Sequence, residues 1–281
     1  MDLVWILGDF SAFIHRLASL EAASVGIVRE LHPRQIDAIE PLDLYPYDPR
    51  PPWSDRPWLM LNMVSSVDGA IAIDGVSGGL GGQGDRMVFR AIRASCDWIV
   101  VAAGTARAER YGIPRPQADV GQRRLDTGRS RAARLAIVTG SVDLPGDLPI
   151  FADRREGEDR PLIITGNNPP PERVTAIGDA ADWLHLPTTR PRAVDVLTAL
   201  FARGAQVVLA EGGPSFNGQL VDAGLVDELC VTVSPQLVGG ASPRIVNGAT
   251  TAVSRNLRLD RLLEHDGALF ARYVRTTPDA D

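Results

Sequence analysis

From about residue 57 onward, the apolar positions of this chain fall into short runs separated by longer amphipathic stretches. "WLMLNMV" (58–64), "DWIVVAAG" (97–104), "RLAIVTG" (134–140), "PLIITG" (161–166), "DWLHL" (182–186) and "AQVVLAEGG" (205–213) are predicted strands. "DWIVVAAG" has almost no polar alternation, as expected of a strand covered on both faces of a parallel sheet. Between the runs, "DRMVFRAIRAS" (85–95) places Met87, Val88, Ala91 and Ile92 on one helical face. A second helix is expected over 193–203 with Val194, Leu197, Leu200 and Phe201 inward, and a third after Gly213 with Ser215 as its cap. "DELCVTVSPQLVGG" and the closing "ALFARYVR" have no helix between them, which predicts an antiparallel edge after residue 226. The polar stretches 112–134 and 153–160 read as solvated loops. The whole is an α/β pattern: a mainly parallel central sheet, an antiparallel C-terminal edge and flanking helices.

The start of the chain reads differently. Residues 1–52 form an N-terminal extension and 53–281 a single domain. "MDLVWILGDFSAFIHRLASL" lacks a basic start, carries Asp2 and Asp9, and reads as a short amphipathic helix, not an export signal or a membrane span. "YPYDPRPPWSDRP" is punctuated by proline and reads as a semi-extended lead-in to the first strand.

Composition narrows the class. With 281 residues, 44% apolar, there is ample material for a core, and a net charge of −6 argues against a general nucleic-acid surface. The two cysteines, Cys96 and Cys230, lie inside apolar segments and read as core thiols of a reducing compartment, the cytoplasm. The four histidines show no ligand spacing, so no metal site is expected.

Candidate chemistry collects at strand ends. In "VVLAEGGPSFNGQLVDAG" (207–224) a buried run ends on Glu211, Gly212, Gly213 and Pro214 and restarts as a helix. A strand, a tight turn and a helix N-terminus present free N–H groups suited to a phosphate, although the same residues also make an ordinary connection. In "VAAGTARAERYG" (101–112), Gly104 permits close approach of a planar ligand and Thr105 offers a hydroxyl. Asn62, Ser65 and Asp68 cluster short polar groups at the end of the first strand. Arg86, Arg90 and Arg93 share a helix face that reads as solvated, with Arg93 the candidate anion contact. "GLGGQG" (79–84) matches a dinucleotide fingerprint in letters, but no acidic residue closes the next strand, so it reads as a flap over a site or as a plain surface loop. Nucleophile-elbow and P-loop signatures are absent from the sequence.

Seven segments in order, "SSVDG" (65–69), "SGG" (77–79), "IRA" (92–94), "VAAGT" (101–105), "EGGPSF" (211–216), "GLVDEL" (224–229) and "PQLVGG" (235–240), resemble the reductase domain of bacterial riboflavin biosynthesis, in its stand-alone actinobacterial form. The resemblance covers about 57 to 275 and implies a dihydrofolate reductase-like fold. It further implies NADPH-dependent reduction of 5-amino-6-(5-phosphoribosylamino)uracil to the ribitylamino product by a homodimer that takes a small-molecule substrate and neither nucleic acid nor membrane. On the matching positions, Val64, Gly104 and Thr105 would line the nicotinamide end. Thr139 and Ser141 would meet the adenosine 2′-phosphate, and Gly212, Gly213, Pro214, Ser215 and Phe216 would wrap the pyrophosphate. Asn62, Ser77, Arg93, Glu109, Arg115 and Glu211 would contact substrate, with Arg93 toward its phosphate and Glu211 toward the pyrimidine. Asp68 and Glu211 are the implied catalytic carboxylates, Asp68 either orienting a proton donor or serving the Asp-Gly turn itself. Three departures stand out. The zinc deaminase motifs of the bifunctional enzymes are absent, so deamination is expected elsewhere. "ARAERYGIPRP" (106–116) replaces the usual segment after Gly-Thr, and Gly140 leaves no basic side chain between Thr139 and Ser141. The alternatives are reduction of another pterin-like substrate such as dihydrofolate, and a nucleotide-binding regulator without turnover.

Overall fold

In a computed structural model the described residues are 27–248 and 254–276, so the helix expected at the N-terminus lies outside them. Among the described residues eleven strands form one sheet in the order β2-β1-β10-β11-β9-β3-β8-β4-β5-β6-β7. The strands are β1 Val28–His32, β2 Ile36–Ile39, β3 Trp58–Ser66, β4 Trp98–Ala102, β5 Arg134–Val138, β6 Leu162–Thr165, β7 Asp182–His185, β8 Val207–Ala210, β9 Glu228–Ser234, β10 Leu257–His265 and β11 Ala268–Arg275. From β9 through β7 every pairing is parallel, and from β9 outward to β2 every pairing is antiparallel. The expected architecture, mainly parallel with an antiparallel C-terminal edge, is the one observed.

Helices cover both faces of the parallel part. Val88, Ala91 and Ile92 of α1 (Gln83–Ala94) pack with Met60, Ile99, Ile137 and Leu209 on one side. On the other, Val196, Leu197 and Leu200 pack with Leu59, Leu61, Val100 and Val208. Double coverage explains why β4, β6 and β8 read as unbroken apolar runs. The remaining helices are α2 Ala103–Ala108, α3 Ala118–Asp126, α4 Pro149–Ala152, α5 Pro171–Ile177, α6 Ala193–Phe201 and α7 Pro214–Asp222.

The structure corrects several expectations. Val194 points outward at 47% exposed, and Ala193 and Val196 take inner positions of α6 instead. Gly213, not Ser215, is the N-cap of α7, with no side-chain cap. Helix α3 occupies a stretch read as loop. Its inner residues are Val120, Gly121 and Arg124, and an arginine and a glycine on the core side hide the helical period. The guanidinium of Arg124 is accommodated by donating to the carbonyls of Arg93, Cys96 and Ser130.

Part of the segment read as an extension joins the sheet: β1 and β2 form a hairpin on the β10 edge. Its inward residues are Val28 and Glu30, so a buried charge again breaks the apolar alternation. The lead-in is held by "DEL". Asp227 accepts from Trp53 Nε1 at 3.0 Å, Arg56 Nη2 at 2.8 Å and the backbone N–H of Leu59 at 2.9 Å. Glu228 grips Arg50 and Arg272.

Candidate active site

Strand β8 lies between β3 and β4, so the C-terminal ends of these parallel strands open on one crevice, where α/β proteins place their sites. The pairings Leu61↔Ala210 and Val100↔Ala210 fix the level at which β8 gives way to Glu211. There Gly212 and Gly213 adopt φ of 101° and 90°, in the left-handed region where glycine avoids strain. A Cβ on Gly213 would stand 2.4 Å from the Cβ of Ala102, so the turn closes tightly on the end of β4. The N–H groups of Gly212 and Gly213 have no acceptor among the described residues, and α7 begins directly after them. Above Gly104 a Cβ would meet nothing within 4 Å. Free N–H groups, a helix N-terminus and open space over a glycine fit a phosphate-bearing nucleotide.

Beside this cradle lies a cavity of about 300 Å³. Asn62, Val64, Ser77, Gly104, Thr105, Glu109, Glu211, Gly212, Gly213 and Pro214, all expected from the sequence, line it. Glu211 is 7% exposed and accepts from Arg93 Nε at 2.7 Å, Arg93 Nη2 at 2.6 Å and Tyr111 Oη at 2.9 Å. Burial disfavours charge on Arg93, but Glu211 more than reverses this and keeps the guanidinium charged. Burial, with Glu211 adding to it, pushes the Tyr111 phenol well above its ordinary range, so Tyr111 remains a donor to Glu211. Glu109 accepts from the backbone N–H of Ser77 at 2.7 Å and so holds the 77–79 loop at the cavity.

Other expected residues sit elsewhere. Arg93 reaches Glu211 but faces a neighbouring cavity of about 390 Å³, which also takes Arg86, Arg90 and Arg115 in its lining. Arg115 is engaged by Glu158 at 2.6 Å and does not approach Glu211. Phe216 is 4% exposed and belongs to the core, so its side chain packs instead of facing a ligand. Ser215 is exposed in the first turn of α7. Thr139 is 5% exposed and its Oγ1 accepts from the Val142 N–H at 2.9 Å, while Ser141 is exposed at the end of β5. Asp68 lines a different hollow with Gly239, Gly240 and Arg244, and accepts from Ser66 Oγ and the N–H groups of Val238 and Gly239. Its carboxylate is therefore committed to Ser66 and the 238–239 backbone.

Sequence reasoning missed Tyr111 and Asp85. Tyr111 falls in the segment that departs from the family pattern. Asp85, in the first turn of α1, resembles an ordinary helix-start acid. It lines the cavity that contains Glu211, accepts from Thr232 Oγ1 at 2.8 Å, and burial raises its carboxyl above the ordinary range.

Strand ends that share one crevice beside a glycine turn give the chain the layout of an α/β nucleotide-binding protein. It belongs to the RibD C-terminal domain family, which matches residues 57–268. It is 28% identical to the 2,5-diamino-6-ribosylamino-4(3H)-pyrimidinone 5′-phosphate reductase of Methanothermobacter thermautotrophicus, over 69% of this chain and 85% of that one. Identity to the protein of the same name from Archaeoglobus fulgidus is 25%, over 78% of this chain and 100% of the relative. Among solved structures, a pyrimidine reductase-like protein from Corynebacterium diphtheriae superposes with a TM-score of 0.73 at 26% identity, covering 80% of this chain and 94% of that one.

Proposed function

We propose that this protein is an NADPH-dependent reductase of a ribosylamino-pyrimidine 5′-phosphate, 5-amino-6-(5-phosphoribosylamino)uracil, in riboflavin biosynthesis. The observation that carries this reading is Glu211. It is a buried carboxylate set where the phosphate cradle meets the cavity lined by Asn62 and Ser77, and it is oriented by Arg93 and Tyr111. When bound, the nicotinamide supplies the hydride for C1′ of the open-chain imine. The chain's own residues bind and orient. Gly212 and Gly213 offer N–H groups to the cofactor phosphates, and Val64, Gly104 and Thr105 shape the wall against which a flat ring lies. Glu211 presents acceptors to the ring N–H or amino groups of the pyrimidine. Asn62 and Ser77 line the same cavity and are placed to bond the sugar.

The imine nitrogen takes up one proton as C1′ takes the hydride. Asp85 is the proposed source, because its raised carboxyl holds a proton at higher pH than an exposed aspartate. The arginines of the neighbouring cavity support a phosphorylated substrate, with Arg93 on the boundary between the two spaces.

A homodimer in the cytoplasm completes the proposal. Leu229, Val231 and Val233 of β9 pair with Tyr273, Ala271 and Leu269 on one face of the antiparallel wing. Leu269 is 36% exposed there, which supports contact with a second copy. Both cysteines are unpaired and buried, and no described helix is long and apolar enough to cross a membrane.

The test is oxidation of NADPH, followed by absorbance, with the ribosylamino-uracil phosphate, its 2-amino counterpart and dihydrofolate offered separately. Turnover of the first supports the assignment. Turnover of the second alone places reduction before deamination, of dihydrofolate alone moves the function to folate chemistry, and of none leaves a binding protein.

A further inference from the structure

We propose that Arg190 makes this protein select a nicotinamide dinucleotide bearing a 2′-phosphate, an inference that rests on the cofactor cradle described above. The turn after β5 reads Thr139-Gly140-Ser141 and carries no basic side chain of its own. The fold supplies one from the loop after β7. A Cβ on Gly140 would lie 3.4 Å from Arg190 Cγ and 3.9 Å from its Cδ, so the arginine stem runs directly over this glycine.

That placement is built. The backbone N–H of Asn167 donates to Thr188 O at 2.9 Å, and Thr188 Oγ1 donates to Arg190 O at 3.0 Å. Gly166, just past β6, lets the loop press against the strand end: a Cβ there would come within 2.3 Å of Thr189 O and 2.6 Å of Thr188 O. Two arginines touch the Gly140–Ser141 turn. Arg173 donates to Ser141 O at 2.9 Å and lies 3.8 Å from the Asp143 carboxylate. Arg190 is exposed, and its guanidinium has no hydrogen bond or ion pair among the described residues.

The sheet order gives this cation its meaning. From the cradle at the end of β8, β4 and then β5 follow, two strand spacings or about 10 Å away. A dinucleotide held by its phosphates at Gly212 and Gly213 and extended along the strand ends brings its adenosine ribose to the β5 turn. There the Ser141 hydroxyl and the Arg190 guanidinium are both exposed and without a hydrogen-bond partner among the described residues. A planar guanidinium binds a phosphate dianion bidentately and gains nothing comparable from a ribose hydroxyl. Selectivity is thus assigned to a residue remote in sequence from the turn it serves.

The test is calorimetric titration of the full chain with adenosine 2′,5′-bisphosphate and with adenosine 5′-monophosphate, which differ only in the 2′-phosphate. The wild type is expected to prefer the bisphosphate. Arg190→Gln is expected to lower bisphosphate affinity roughly 10- to 100-fold and to leave the monophosphate within about twofold. The inference is overturned if Arg190→Gln keeps the preference, or if the loss appears in Arg173→Gln instead. Monophosphate binding without discrimination by the wild type overturns it alone. Binding of neither probe overturns it together with the cradle reading.

Discussion

Glu211 and Glu228 are both buried glutamates gripped by arginine, and the difference between their surroundings separates site from scaffold. Glu228 is completely buried and accepts from Arg50 at 2.8 and 2.9 Å and from Arg272 at 2.8 and 3.1 Å, with Trp58 Nε1 at 3.3 Å. The side chains of Arg50 and Arg272 are only 1% and 4% exposed, so nothing can exchange with these partners. Glu211 has one arginine and one phenol, and Arg93 keeps 31% of its side chain open. One cluster is sealed and ties the lead-in to the antiparallel wing. The other borders a cavity, where an entering pyrimidine finds a carboxylate already desolvated and aimed.

The largest expected effect falls on the open cluster. Glu211→Gln keeps the shape but replaces a charged acceptor, and kcat/KM is expected to drop roughly 10²–10⁴-fold. Stability changes less, by about 1–3 kcal/mol, because Arg93 can turn to water. Initial rates and urea midpoints on the same preparation read both. A variant that unfolds while its surviving folded fraction turns over normally would make Glu211 scaffold, like Glu228.

Glu228→Ala should behave in the opposite way. It takes the shared carboxylate from two buried guanidinium groups, leaving Arg50 to Tyr45 O and Asp48 and Arg272 to Asp260, and is expected to destabilise the protein by about 3–5 kcal/mol, with turnover per folded molecule unchanged. The pH dependence has a definite sign. Burial alone would raise the Glu228 carboxyl, but Arg50 and Arg272 outweigh it and hold it at about 2, below the ordinary 4.5. The unfolded chain binds this proton more readily, so the contribution is complete above the ordinary value. It is lost as pH falls through the folded one. Wild type and Glu228→Gln, compared by urea midpoint, should differ by a constant amount at neutral pH and converge toward about 2.

The two clusters also differ in how far the sequence announces them. Gly212 and Gly213 next to Pro214 mark the cradle, because positive φ and a helix start demand those residue types. Glu211 could be assigned from the same stretch. Its partner Tyr111 comes from a segment whose letters depart from the family pattern, and only folding brings it within 2.9 Å. Strands β1 and β10 are harder to see, since Glu30 and Arg261 occupy inward positions where an apolar period is sought, whereas β11 shows its strand pattern despite Arg272. Arg124 hides α3 for the same reason. Arg261 is compensated by Asp48 at 2.7 Å and Arg272 by Glu228 at 2.8 Å, partners distant in the chain, and such pairing leaves no local trace.

Asp85 sharpens the comparison from inside the cavity. It has no arginine grip, so burial alone dominates and its carboxyl is raised, the reverse of Glu228. As a proton source it should lose strength as pH rises through that raised value. The wild-type kcat should show this limb, and Asp85→Asn should lack it. A fall in kcat of roughly 10²-fold with a smaller change in KM is expected. A flat profile in both proteins would assign the proton to another donor.

The smallest effect is expected at Asp68, the carboxylate that the family resemblance placed in catalysis. The Ser66 hydroxyl, then the N–H groups of Gly239 and Val238, hold it at about 2, and they occupy both of its oxygens. It clamps the turn after β9 to the end of β3, across a hollow distinct from the one that contains Glu211. Asp68→Ala is therefore expected to change kcat/KM by no more than about two- to threefold. Its mark should be faster backbone hydrogen exchange at Val238 and Gly239, whose N–H groups lose their acceptor. If Asp68→Ala instead abolished turnover while Glu211→Gln did not, the reacting atoms would have to lie over the 238–240 turn. Glu211 would then be scaffold after all, an Arg-bound carboxylate no different in kind from Glu228.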